Sequence, residues 1–308
     1  MSEEKIFKTR RKLLFFKVNT EHQNPFKEIL QYVYNLEWNE MYTDKTKDEE
    51  RIFIQSLETK DGFIQGLICW MRMSGIPKKW SIWRKDIHDI GLSEDEWITE
   101  TTHFIYSESF NILVIEYNHY GPRIWSLEYH LNNRANTNEK WCVTEIDFEP
   151  ILNQDTLDKL NDIWEIRMMS MSVPRKFIWN LPQKDDSIFS AITQSYHYWD
   201  KWEIMITIKN EKRKHENIID EERVKSELKD MWMMIDENVS SLQIQAISKS
   251  DGKSKLYDFL QEKMRTEISV VRQGKSRDID SADIFLKMRT YFNEHKIEIW
   301  GYAHYENI

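Results

Sequence analysis

Histidines, an arginine and a carboxylate gather in Asn118-His-Tyr-Gly-Pro-Arg-Ile-Trp-Ser-Leu-Glu-Tyr-His-Leu-Asn132, where His119, Arg123, Glu128 and His130 surround a Gly-Pro pair. A general acid or base needs a partner that orients or activates it. Neither histidine has a nucleophile or a metal-ligand partner in register, so Gly121-Pro122 reads as a backbone corner, with glycine taking a positive φ and proline fixing the exit. Loops that cradle phosphate need clustered glycines, because backbone amides must approach the oxygens unobstructed. The chain has 8 glycines, and no two lie closer than Gly62 and Gly66. A Gly-x-Ser-x-Gly elbow, a His-Glu-x-x-His pair and an EF-hand loop are missing too. Cys69 and Cys142 stand far apart without ligand spacing, so neither a zinc site nor a disulfide framework is expected, and no cofactor.

One further constellation, Arg289-Thr-Tyr-Phe-Asn-Glu-His295, resembles the Arg-x(4 to 6)-His motif of HEPN ribonucleases. In that family the arginine and histidine of two subunits meet at a dimer interface and cleave RNA, which would make Arg289 and His295 catalytic. Thr290 stands where the family usually carries Asn, Asp or His. A metal-dependent nuclease needs an acid-x-Lys on a strand near another carboxylate. Glu227-Leu-Lys229 falls instead on a predicted helix, and Glu294-His-Lys296 on a predicted junction.

Basic clusters offer a different chemistry. Lys8 to Lys12, Lys78 and Lys79 with Arg84 and Lys85, Lys209 with Lys212, Arg213 and Lys214, and Arg272 with Lys275 and Arg277 lie at element ends or in loops. Phosphate contacts use such cations and give affinity without reading sequence. Trp80 and Trp83, between basic pairs, could stack on bases or simply pack. The net charge of −9 excludes a protein that coats nucleic acid over its whole surface. Residues 201–308 carry 19 Lys and Arg against 20 Asp and Glu, so the acidic excess lies in the first part.

Positioning these groups requires a packed fold, and 308 residues with 40% hydrophobic content and 13 tryptophans supply one. No apolar run approaches the roughly 18 residues that span a bilayer, and the acidic N-terminus lacks a signal-peptide core. A cytoplasmic protein is expected. Residues 12–18 read as a strand and Pro25 onward as a helix with Asn24 as N-cap. Residues 51–57 and 63–73 form a hairpin around Lys60-Asp61-Gly62, and 102–106 and 111–117 form another. Beyond Pro122 the alternation of Trp125, Leu127, Tyr129 and Leu131 predicts a strand, against a helical spacing of Ile124, Leu127 and Leu131. Strands follow at 141–148 and 163–173, with a helix-prone 155–160 between them.

After Pro182 there is no proline, which predicts a regular unit: helix 187–198, strand 202–209, helix 221–235, strand 241–248, helix 255–263, strand 266–272, helix 281–294 and strand 296–302. The fold class expected is α+β, with mixed or antiparallel sheets and helices packed on one face, in two subdomains, residues 1–182 and 183–308.

The order of elements resembles the RexA-like family of phage-exclusion proteins. Three pieces carry the likeness: residues 101–132, turning at Gly-Pro; Val143-Thr-Glu-Ile-Asp-Phe-Glu-Pro-Ile-Leu152; and the C-terminal unit from Glu203 through Leu242-Gln-Ile-Gln-Ala-Ile-Ser-Lys-Ser-Asp-Gly252 to Ser281. The resemblance implies a non-enzymatic, DNA-binding homodimer of an anti-phage system, with Lys209, Lys212, Arg213 and Lys214 as the basic run that carries over. Two other readings stay open: a toxin-like ribonuclease using Arg289 and His295, and a defence component that binds only a membrane-bound or soluble protein partner.

Overall fold

The computed structural model describes residues 7–20, 25–37, 39–46, 50–72, 79–81, 86–88, 90–93, 96–135, 146–174, 203–209, 224, 241–259, 264–272 and 279–304. Two compact units emerge. The first takes residues 1–149 and 265–304, the second residues 150–264 and 305–308. A sequential boundary at residue 182 is therefore not the one that strand pairing makes, because a late strand and helix return to the N-terminal sheet.

The first unit is built on strands β1 (Phe7–Thr20), β2 (Thr43–Thr46), β3 (Glu50–Lys60), β4 (Phe63–Arg72), β7 (Ile98–Ser107), β8 (Ile112–Tyr117), β9 (Ile146–Pro150) and β14 (Arg265–Arg272). They form one sheet in the order β14-β1-β8-β7-β4-β3-β2, with β9 also pairing β1. A separate antiparallel pair joins β5 (Lys79–Ser81) to β6 (Asp86–His88). The β3–β4 hairpin turns as its sequence requires, Asp61 and Gly62 both taking positive φ, of 53° and 81°. Helices are α1 (Phe26–Tyr34), α2 (Ile124–Ala135) and the 23-residue helix Ser281–Ala303, here α4.

Alternation along β7 assigns these helices to opposite sheet faces. Tyr106 meets Phe26 of α1 edge-on at 4.9 Å, whereas His103, three residues earlier, meets Phe285 of α4 at 5.1 Å. Each fully buried aromatic in these layers, Phe15, Phe104 and Phe292 among them, contributes roughly 1.5–3 kcal/mol. Helices on a single face are thus not what this sheet carries. α1 is capped by Pro25 with no side-chain bond, and Asn24 lies outside the described residues.

The second unit has helix α3 (Gln154–Asp162) and strands β10 (Ile163–Pro174), β11 (Glu203–Lys209), β12 (Ser241–Ser248) and β13 (Ser254–Asp258), in the antiparallel order β11-β10-β12-β13. Asn153 caps α3 by accepting from the Thr156 amide. Asp162 at its end is held well below the usual carboxylate range by hydrogen bonds from the Ser248 hydroxyl, from Tyr257 and from the Ser250 amide. These bonds tie α3 to the β12–β13 turn, where Gly252 takes φ 66°.

Four sequence expectations are corrected here. Residues 124–131 form helix, because the buried set Ile124, Leu127, His130 and Leu131 follows a 3.6-residue period while Tyr129 is exposed. Residues 254–258 are strand, since the Asp251-Gly252 turn delivers them to the edge of β12. Residues 296–302 continue α4: Ile297 is 81% exposed and Ile299 fully buried, one helical turn-pair beyond Phe292. Gly121 has no positive φ and is needed for closeness. A Cβ there would sit 2.6 Å from Asn118 Nδ2 and 2.7 Å from Thr102 Oγ1, and that hydroxyl donates to the Pro122 carbonyl at 2.8 Å. Gly121→Ala is expected to cost about 1–3 kcal/mol in urea unfolding, the range for overpacking; an unchanged midpoint would show that the corner yields freely. The helices expected at 187–198 and 221–235 lie outside the described residues, except Val224.

Candidate functional site

Strand β1 begins Phe-Lys-Thr-Arg-Arg-Lys, and a strand sends alternate side chains to opposite faces. Lys8, Arg10 and Lys12 are therefore on one face, roughly 7 Å apart by strand rise, and all three are exposed. Arg10 approaches Glu267 of β14 only to 3.8 Å, with both side chains largely in solvent. Such a pair is worth little. Lys12 lies over the Tyr117 ring at 5.9 Å, and the Arg123 guanidinium lies 3.8 Å from the same ring. Among the described residues no carboxylate pairs with Lys8 or Lys12.

The other face of the same strand is different. Thr9 and Arg11 line a cavity of about 160 Å³ with Glu100, His103, Glu116, Tyr120 and Arg272. His103 of β7 and Glu116 of β8 are both 2% exposed. Glu116 Oε1 lies 2.6 Å from His103 Nδ1 and also accepts the His103 backbone amide at 3.0 Å. Facing a carboxylate, Nδ1 carries the proton, which leaves Nε2 to accept from the Ser281 hydroxyl at 2.9 Å. Glu116 Oε2 lies 3.4 Å from Arg11 Nε.

Of the residues singled out from sequence, those described fall on several separate elements. Arg272 ends β14 on the cavity side, its guanidinium 5.4 Å from the Phe7 ring. Lys209 ends β11, exposed, in the second unit. Lys79 lies in β5 without a described side chain, and Lys78, Arg84, Lys85, Lys212, Arg213, Lys214, Lys275 and Arg277 lie outside the described residues. Arg289 is only 6% exposed. It donates to the Gln65 carbonyl and its Nε lies 3.4 Å from Asp61, so its guanidinium is committed to the β3–β4 hairpin. His295, two turns on, stacks on Tyr291 at 4.1 Å and bonds its carbonyl.

His130 is fully buried on α2. Arg134 Nε donates to Thr43 Oγ1 at 3.0 Å, which leaves the Thr43 hydroxyl to donate to His130 Nδ1 at 2.8 Å. Burial first, and the Arg134 charge second, push this ring down to about 3. It is a structural, neutral imidazole. Cys69 is free and buried, its thiol pushed up to about 12 by burial, which leaves it a poor nucleophile. Among the described residues no group of three His, Cys, Asp or Glu could hold a metal ion, and no helix is long and apolar enough to cross a membrane.

Sequence reasoning passed over His103, Glu116 and Ser281. They are 13 and 165 residues apart along the chain, on β7, β8 and α4, and only the strand register and the packing of α4 unite them.

A family model described as a family of unknown function, DUF6731, matches residues 8–301. No curated protein matches the chain.

Proposed function

The chain belongs to that family of unknown function, and we propose that it is a nucleic-acid-binding protein that grips DNA phosphates and does no chemistry on the DNA itself. The observation that carries this reading is the exposed, one-sided row of Lys8, Arg10 and Lys12 on β1. Cations spaced along an extended strand can follow a phosphodiester backbone, and an acidic remainder confines the polyanion to that row. Lys209, exposed at the end of β11, adds a second contact in the other unit. A homodimer joined at β14, an outer strand of its sheet, would duplicate the row about a two-fold axis. The likeness to RexA-like exclusion proteins favours a cytoplasmic anti-phage role, in abortive infection or exclusion, with a second defence protein as a further partner.

The test is fluorescence anisotropy with labelled single-stranded and duplex DNA of unrelated sequences at two salt concentrations. Binding is expected to weaken steeply with salt. The triple variant K8A/R10A/K12A should lower the salt slope by roughly 0.9 for each phosphate contact removed. Absence of a salt-sensitive signal at micromolar protein overturns DNA binding altogether. Full affinity in the triple variant overturns the β1 row, and loss instead on reversing the charges of Lys212, Arg213 and Lys214 moves the contact there.

A further inference from the structure

We propose that Ser281, His103 and Glu116 form a catalytic relay for acyl transfer, acting on small esters that carry an anionic group. This site uses the cavity face of the sheet and needs nothing from the nucleic-acid reading, which rests on the opposite face.

The order of groups is hydroxyl, imidazole, carboxylate. Ser281 Oγ lies 2.9 Å from His103 Nε2, and His103 Nδ1 lies 2.6 Å from Glu116 Oε1. A base that is to take a proton from serine must present an unprotonated Nε2, and a buried carboxylate on Nδ1 fixes that tautomer and stabilises the imidazolium that forms. Glu116 is itself held in place, by the His103 amide on Oε1 and by Arg11 beside Oε2. The edge-on ring of Phe285 fixes the imidazole plane at 74°. Both ring nitrogens are engaged in the sense that nucleophile activation requires, carboxylate on Nδ1 and hydroxyl on Nε2.

Ser281 is also well placed on its element. It follows the cap residue Asp280, whose carboxylate takes the Asp283 amide, and opens the 23-residue α4, whose amides at Ser281 and Ala282 have no partner within the helix. An oxyanion that develops on a carbonyl attacked by Ser281 would form at that end. A cavity of about 160 Å³ reaches His103 and Glu116, with Ser281 2.9 Å from the imidazole; Arg11 in its wall is committed to Glu116, and Arg272, on the same wall as Glu100, is the cation that favours a carboxylate or phosphate on the substrate.

The chemistry balances without any co-reactant but water. Ser281 Oγ bonds to the carbonyl carbon as its proton passes to His103 Nε2. The ester C–O bond then breaks, and the same nitrogen returns the proton to the departing alcohol. Water attacks the acyl-enzyme by the same route, releasing the acid and restoring the serine. Ser281 and His103 are the catalytic residues; Glu116 is a positioning residue.

The full chain is treated with a fluorophosphonate probe, and hydrolysis of p-nitrophenyl succinate is compared with that of the acetate. The expected result is a single adduct on Ser281, absent from Ser281→Ala, with the succinate ester preferred. Glu116→Gln, shown folded by circular dichroism, should react at least about 100-fold more slowly. The loss should fall on kcat and leave KM unchanged, as expected of a group that positions the base. Should that variant not fold, His103→Gln, which cannot take the serine proton, decides, and labelling should be lost. No adduct, an adduct elsewhere, or a rate unaltered in folded Glu116→Gln or folded His103→Gln overturns the proposal.

Discussion

Arg289→Met is expected to lower the thermal midpoint by roughly 5–10 °C, with the chain still folded at 25 °C. The loss follows from what the guanidinium satisfies. Gln65 is 3% exposed, and its carbonyl accepts from Arg289 while its amide donates to Glu58. Methionine preserves much of the buried stem but removes a charge-assisted donor, worth about 1.5–3 kcal/mol, and strands the Gln65 oxygen. The Asp61 side of the contact adds little, since that carboxylate is 66% exposed. For a unit of this size about 2–4 °C per kcal/mol converts the loss into a midpoint. Differential scanning calorimetry reads it. The same variant discriminates between two roles for one residue: a ribonucleolytic arginine would show lost RNA cleavage with an unmoved midpoint, and that outcome would return Arg289 to the list of catalytic groups.

The β3–β4 hairpin was legible in the sequence because Asp61-Gly62 demands positive φ at both positions, a local constraint that no tertiary contact had to supply. The turn at Asp251-Gly252 is set as locally, with Gly252 at φ 66°, although the segment after it reads as helix and pairs as strand. Residues 124–131 were not. Their apolar side chains satisfy both periods, and the choice is made by two polar residues, Ser126 and His130, which are buried at 1% and 0% exposure because Thr43 and the turn before α2 provide partners. Local hydrophobicity contains no trace of that. Residues 296–302 misled in the opposite direction: Ile297 and Ile299 alternate as a strand would, yet Ile297 is simply exposed on a continuing helix. The union of β14 with β1 depends on a register spanning Phe7↔Arg272 to Leu14↔Arg265, which no composition shift near residue 182 could announce. The relay of Ser281, His103 and Glu116 was hidden by the same non-local pairing. The Lys8, Arg10 and Lys12 row was visible as a basic cluster, but its one-sidedness needed the strand.

Stability should fall on acidification below about pH 6.5, by up to roughly 1.4 kcal/mol per pH unit for the single group His130. The ring is lowered to about 3, by burial first and the Arg134 charge second. Protonation of Nδ1 would also destroy its acceptance of the Thr43 hydroxyl, itself oriented by Arg134. The folded state therefore favours the neutral ring. As pH drops from about 6.5, the unfolded chain binds a proton and the folded chain does not, so the contribution is complete above that point and is lost progressively toward about 3. At pH 5 the expected loss is about 2 kcal/mol. Other groups titrate in the same window, so the comparison is with His130→Gln, which retains polarity at the site and cannot take up a proton. Urea unfolding of both proteins at pH 7.5, 6, 5 and 4.5 gives two curves, of which the variant's starts lower and falls less steeply. Parallel curves would mean that protonation at His130 is met by a rearrangement of α2 that lets water to the ring, and the neutral, buried imidazole would then not be what limits the fold in acid.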